Sequence, residues 1–152
     1  MPQASPMPHR APSLSVTGPT IASFDDLLRE ARRQPEPQRL LFVFMTAELP
    51  EDSSPEQRER FAAGVGGTLV PLMCVDKASH ELTTFAALVE ESRASAPAWA
   101  IVFVACLAGH AGRAVTQDDA EAALQRMVDA IKAGAHRSFI PFGRDGYPVQ
   151  FE

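Results

Sequence analysis

Past residue 20 the apolar positions fall into two patterns, stripes at three- and four-residue spacing and short unbroken runs. The stripes predict helices and the runs predict strands. Ser23 precedes a stripe of Phe24, Leu27, Leu28 and Ala31, with Asp26 placed as a box-like capping partner; Pro35 and Pro37 stop this helix. Residues 39–45, RLLFVFM, predict a first strand covered on both faces. Ser54-Pro55-Glu56-Gln57 combines an N-cap, Pro at the first helical position and Gln at the third, and opens a helix that ends at Gly64, Gly66 and Gly67. Residues 68–75, TLVPLMCV, predict a second strand, placed at an edge or carrying a bulge because Pro71 removes a ladder donor.

Ser79 is expected to cap a third helix bearing Leu82, Phe85, Leu88 and Val89, with Pro97 beyond its end. Residues 99–107, WAIVFVACL, read as a third strand between Pro97 and Gly109. Thr116 with Asp119 opens a last helix whose stripe runs Ala120, Ala123, Leu124, Met127, Val128 and Ile131, closed by Gly134. Asp145-Gly146 between two apolar runs predicts a terminal hairpin. Strands separated by helices predict an α/β fold: a single domain over 21–152 with a mixed, mostly parallel sheet of about five strands, helices packed on it, and a C-terminal β-hairpin at one edge.

Composition narrows the picture. The 152 residues are 45% hydrophobic and 22% charged, enough for one core and not for two. Residues 1–20 hold five prolines and no acidic residue, and read as a disordered Pro-rich leader that buries too little to offset ordering entropy. The twelve Arg and two Lys are scattered against 19 acidic residues, for a net charge of −5, which argues against nucleic acid as a ligand. The longest apolar run, 98–108, is too short for a bilayer, which takes about 20 residues, so no membrane span is expected. With no secretory pattern at the start, the expected location is cytoplasmic. Two cysteines, Cys74 and Cys106, exclude a disulfide framework.

Chemistry is sought at the carboxyl ends of the expected parallel strands. Those ends offer Thr46 and Glu48, then Asp76 and Lys77, then His110 and Arg113, a set that could supply an acid, a base and an anion clamp to a small ligand or substrate. Residues 109–113, GHAGR, superficially resemble a phosphate-cradling turn, but the spacing matches no nucleotide fingerprint and Asp118, Asp119 and Glu121 crowd the helix start behind it. The four histidines share no ligand spacing, so neither a metal nor a cofactor is expected. Trp99, beside Pro97 at a strand entrance, is a candidate aromatic anchor for a partner, as are the charged helix around Arg58 to Arg60 and the edge strand of the hairpin.

The segments QPEPQRLLFVF, ELPEDSSPEQRERFAAGVGGTLVPLMCVDK, LVEESRASAPAWAIVFVACLAG and FIPFGRDGYPVQF together resemble a family of short proteobacterial proteins commonly labelled ribonucleotide reductase subunit alpha. The likeness covers nearly everything after Thr20. A catalytic reductase subunit is a larger barrel with a radical cysteine, a reducing cysteine pair and a tail dithiol, whereas this chain has Cys74 and Cys106 alone. The resemblance therefore implies an accessory factor at most, and carries no catalytic residue over by motif. Strong capping and core signals without a convergent catalytic set favour a non-catalytic protein that binds a protein partner or self-associates. A small-ligand binder or enzyme using the strand ends is the alternative.

Overall fold

A computed structural model describes residues 21–63, 66–93, 95 and 99–150. The leader read at 1–20 and the terminators Gly64 and Pro97 lie outside the described residues. The chain forms α1 (Phe24–Arg33), β1 (Gln38–Glu48), α2 (Pro55–Ala62), β2 (Thr68–Ala78), α3 (Phe85–Ser92), β3 (Ile101–Ala108), α4 (Gln117–Lys132) and β4 (Ile140–Gly143), with 3₁₀ turns at Ser79–Glu81 and His136–Ser138.

These strands form one four-stranded sheet in the order β2-β1-β3-β4, and every neighbouring pair is antiparallel. The expected mixed, mostly parallel sheet of about five strands is thereby corrected. The reason lies in the connecting helices. A helix between two strands makes them parallel neighbours only when it packs back across the sheet, and α2, PEQRERFA, has no buried residue to do so. It stands at the sheet end, so β1 and β2 close as a long hairpin with Glu48 opposite Thr68. The link through α3 is a true crossover, but β1 lies between β2 and β3, so two strands running the same way never touch. The terminal hairpin is shorter than expected: its Gly146 turn forms at φ 82°, but the returning arm contributes only a bridge from Pro148 to Phe142.

β1 is the axis of the core. Leu40, Phe42 and Phe44 point to the face covered by α1 and α3, and Leu41, Val43 and Met45 to the face covered by α4; all six are at most 3% exposed. The period-two geometry of a strand makes an unbroken apolar run fit a layer buried on both sides. The α1/α3 side is aromatic: Phe24 meets Phe42, Phe85 and Phe142 at centroid separations of 5.9, 5.1 and 5.5 Å, and Phe44 meets Trp99 edge-on at 5.1 Å.

The capping chemistry holds at three helices. The hydroxyls of Ser23, Ser54 and Thr116 accept from the amides of Asp26, Gln57 and Asp119, and Gln57 completes the box. The third helix starts later than expected, with Thr84 as its cap in place of Ser79. Its first amide, Phe85 N, donates to the Asp25 carboxylate at 2.9 Å, so α1 supplies part of the cap. Arg32 of α1 donates to the carbonyls of Ser79 and Leu82, tying the same link from the other side. No helix among the described residues is long and apolar enough to cross a membrane.

Candidate functional site

Because β2 and β3 run the same way on either side of β1, the carboxyl ends of both strands lie at one end of the sheet. Asp76 and Lys77 therefore share that end with His110 and Arg113, whereas Thr46 and Glu48 close the antiparallel β1 at the opposite end, and even the first four do not face a common space. Consecutive strand residues point to opposite faces. Asp76 lies opposite Leu41 on the α4 side, where its Oδ1 accepts from Arg39 Nε at 2.7 Å and from the same guanidinium's Nη2. Lys77 lies opposite Leu40 on the α1/α3 side, where its Nζ is 2.6 Å from Glu91 Oε1 of α3. Each charge is neutralised on its own face.

His110 and Arg113 close a two-residue turn by exchanging backbone hydrogen bonds of 3.0 and 2.9 Å. Ala111 at φ 54° and Gly112 at φ 76° have the two positive φ values of a type I′ turn. The amides that would cradle a phosphate are already used. Gly109 N donates to the Pro37 carbonyl at 2.8 Å, and Gly112 N donates to Glu36 Oε1 at 2.7 Å. The loop thus holds a carboxylate of its own chain where an anion would sit.

Beside this turn lies a cleft of about 410 Å³ between the end of β3 and the first turns of α4. His110, Arg113, Thr116, Asp119 and Arg126 line it over Leu107, Val115 and Ala122. Arg113 and Arg126 form no ion pair among the described residues, and Asp119 on the same wall offsets part of their charge. Glu36, Arg39 and Glu91, which engage Gly112, Asp76 and Lys77, and Arg126, which shares the cleft with Arg113, are not marked by any local motif, because each comes from a different element and is brought near only by the tertiary fold.

Cys106 does not have the setting of a nucleophile. Cys106 reaches the surface on the α1/α3 side of β3, yet the surrounding protein desolvates its sulfur and pushes the thiol up to about 11, so it stays protonated at neutral pH. Cys74 is exposed on the α4 side of β2. No group of three or more His, Cys, Asp or Glu among the described residues could hold a metal ion.

Trp99 sits in the core and is 1% exposed. Its indole Nε1 donates to Ser92 Oγ at 2.8 Å, and the Arg144 guanidinium lies 4.6 Å from its ring centre while donating to the Trp99 carbonyl. An anchor for a partner would have to be found elsewhere. The helix around Arg58 to Arg60 is exposed, and β4, only four residues long with Pro141 inside, offers little edge.

The long free edge is β2. Eleven residues run along the outside of the sheet, with the ladder to β1 broken once at a bulge where Met73 and Pro71 oppose Phe44 and Met45. The bulge turns Leu72 outward, 44% exposed. Comparison of the chain with known protein families, with curated proteins and with solved structures gives no match.

Proposed function

We propose that the protein is a non-catalytic binding module that recognises another polypeptide by strand addition along β2. The observation that carries this reading is the chemistry of that edge. Free strand edges are normally blunted by projecting charge, by proline or by a bulge. Here Pro71 and the bulge guard the upper part, while the two charges of the lower part are drawn back to Arg39 and Glu91 of the same chain. Met73, Cys74 and Val75 then present an apolar strand whose outer backbone groups can supply the main-chain hydrogen bonds of strand addition. The dispersal of Asp76, Lys77, His110 and Arg113 over two faces and a turn supports binding over catalysis. The resemblance to proteins labelled ribonucleotide reductase subunit alpha makes that reductase one partner to look for, in an accessory role.

The test places a photo-activated benzoyl-phenylalanine at Leu72, and in a second variant at Glu121 on the exposed side of α4. Illumination in cells should give defined protein adducts from position 72 and none from position 121. Equal adducts from both positions, or none from position 72, would overturn strand addition at β2.

A further inference from the structure

We infer that the cleft between the end of β3 and the first turns of α4 is a second binding site, for a small organic monocarboxylate held by Arg113 and Arg126 over an apolar floor. It is separate from the β2 edge, because β1 lies between β2 and β3. At about 410 Å³ the cleft falls within the range of small-molecule sites, about 300–1,000 Å³. A cleft beside α2 is nearly as large, about 380 Å³, but polar groups that line it are already engaged: Ser53 Oγ donates to the Pro50 carbonyl, and Gln57 completes the helix cap.

In the β3–α4 cleft the charged groups are free. The side chains of Arg113, Asp119 and Arg126 make no hydrogen bond or ion pair among the described residues. The helix explains why Arg126 does not turn to Asp119. Asp119, Ala122 and Arg126 follow one another at three and four residues, so they share a face of α4 toward the cleft while Ala120, Ala123, Leu124 and Met127 face the core. Asp119 and Arg126 are then seven residues apart, about 10 Å along the axis. Arg113 reaches the same cleft from the turn that it closes with His110.

The arrangement selects a ligand class. Two guanidinium groups and one carboxylate leave one net positive charge, which a single carboxylate neutralises. Guanidinium groups also take a carboxylate through paired N–H donors. Phosphate fits less well, because Glu36 already holds the Gly112 amide and Asp119 repels the second charge of a dianion. Leu107, Val115 and Ala122 give apolar contact to the body of an organic acid and offer nothing to a bare inorganic ion. Benzoate has the required parts, one carboxylate on a compact apolar ring.

The full chain is titrated separately with benzoate, benzyl alcohol and inorganic phosphate at constant ionic strength, and followed by proton–nitrogen correlation NMR. Benzoate should give saturable shifts at the amides of Val115 and Ala122, with a Kd of about 1 mM or tighter, and none at Met73, Cys74 and Val75 of β2. Benzyl alcohol keeps the ring without the charge, and phosphate keeps the charge without the ring; each should bind at least about tenfold more weakly. Arg113→Gln and Arg126→Gln should each weaken benzoate by at least about tenfold, and because both side chains are exposed the rest of the spectrum should stay that of the wild type. Absence of saturable shifts, benzyl alcohol or phosphate binding as tightly as benzoate, or a benzoate affinity unchanged in either arginine variant overturns the site. Strand addition at β2 is untouched by any of these results, since it is tested by cross-linking from position 72.

Discussion

Replacing Ser92 by Ala isolates one hydrogen bond in the aromatic core. Ser92 is 3% exposed on the last turn of α3, and its hydroxyl donates to the Val89 carbonyl at 2.7 Å while accepting from the Trp99 indole at 2.8 Å. Ala removes the acceptor and leaves a buried N–H with no partner, which costs about 1–3 kcal/mol. A loss of about 2 kcal/mol is expected, or a fall of roughly 8 °C in Tm for a domain of this size. Trp99 is the only tryptophan, so urea unfolding followed by its fluorescence reports on the contact itself. In a Trp99→Phe background, unfolded in urea and followed by far-UV circular dichroism because the fluorophore is gone, the donor is absent, and the same Ser92→Ala change should cost far less, giving a coupling of about 1 kcal/mol or more when all four chains are followed by that signal. A cost below about 0.5 kcal/mol in the wild type, or equal costs in both backgrounds, would refute the assignment of the loss to the orphaned indole.

Two further outcomes follow from local geometry. Ala111 is held at φ 54° in a type I′ turn where Asn-Gly is the preferred pair, so Ala111→Asn should raise stability by about 0.5–1 kcal/mol in urea unfolding; a loss would show that the turn is set by something other than backbone preference. The Asp26 carboxyl is held below its ordinary value of 3.8, first by the Ala22 amide at 2.9 Å and then by Arg29 at 2.6 Å. A depressed carboxyl stabilises the fold above its unfolded value and loses that contribution as pH falls through the folded one. The stability difference between wild type and Asp26→Asn should therefore be constant near neutrality and shrink in the acid range below 3.8; a difference that is flat down to acid unfolding would refute it.

The parts of the fold that were legible are those set by neighbours in the chain. Ser54-Pro55-Glu56-Gln57 needs only one turn of backbone to satisfy its amides, and it forms as read. The run from Leu40 to Met45 announces burial on both faces because every second residue must find a covering layer, and it finds α1 with α3 on one side and α4 on the other. Strand direction does not follow from element order alone, because an intervening helix makes its strands parallel neighbours only where it covers the sheet. α2 bears on its own sequence the reason it is none: Phe61 and Ala62 come at its end and charged or polar residues fill the rest, so it has no apolar stripe to lay across strands. Ser79 misled for a different reason. A hydroxyl followed by apolar residues at helical spacing also fits a short turn, and the carbonyls of Ser79 and Leu82 are claimed by Arg32 before a helix can propagate from them.

The pleat of β2 decides what its two terminal charges can do. Asp76 and Lys77 are adjacent in sequence, and on a helix or in a loop adjacent charges can serve one ligand. On a strand they cannot, because the pleat sends one to each face. Once β2 extends to Ala78, the pair is committed to opposite layers, and each layer supplies a counter-charge, Arg39 from β1 and Glu91 from α3. The extension by three residues beyond the expected end thus converts a candidate pair of ligand contacts into two structural ion pairs. It also lengthens the free edge and strips it of projecting charge, so the residues first taken for chemistry are the ones that leave β2 open to another strand.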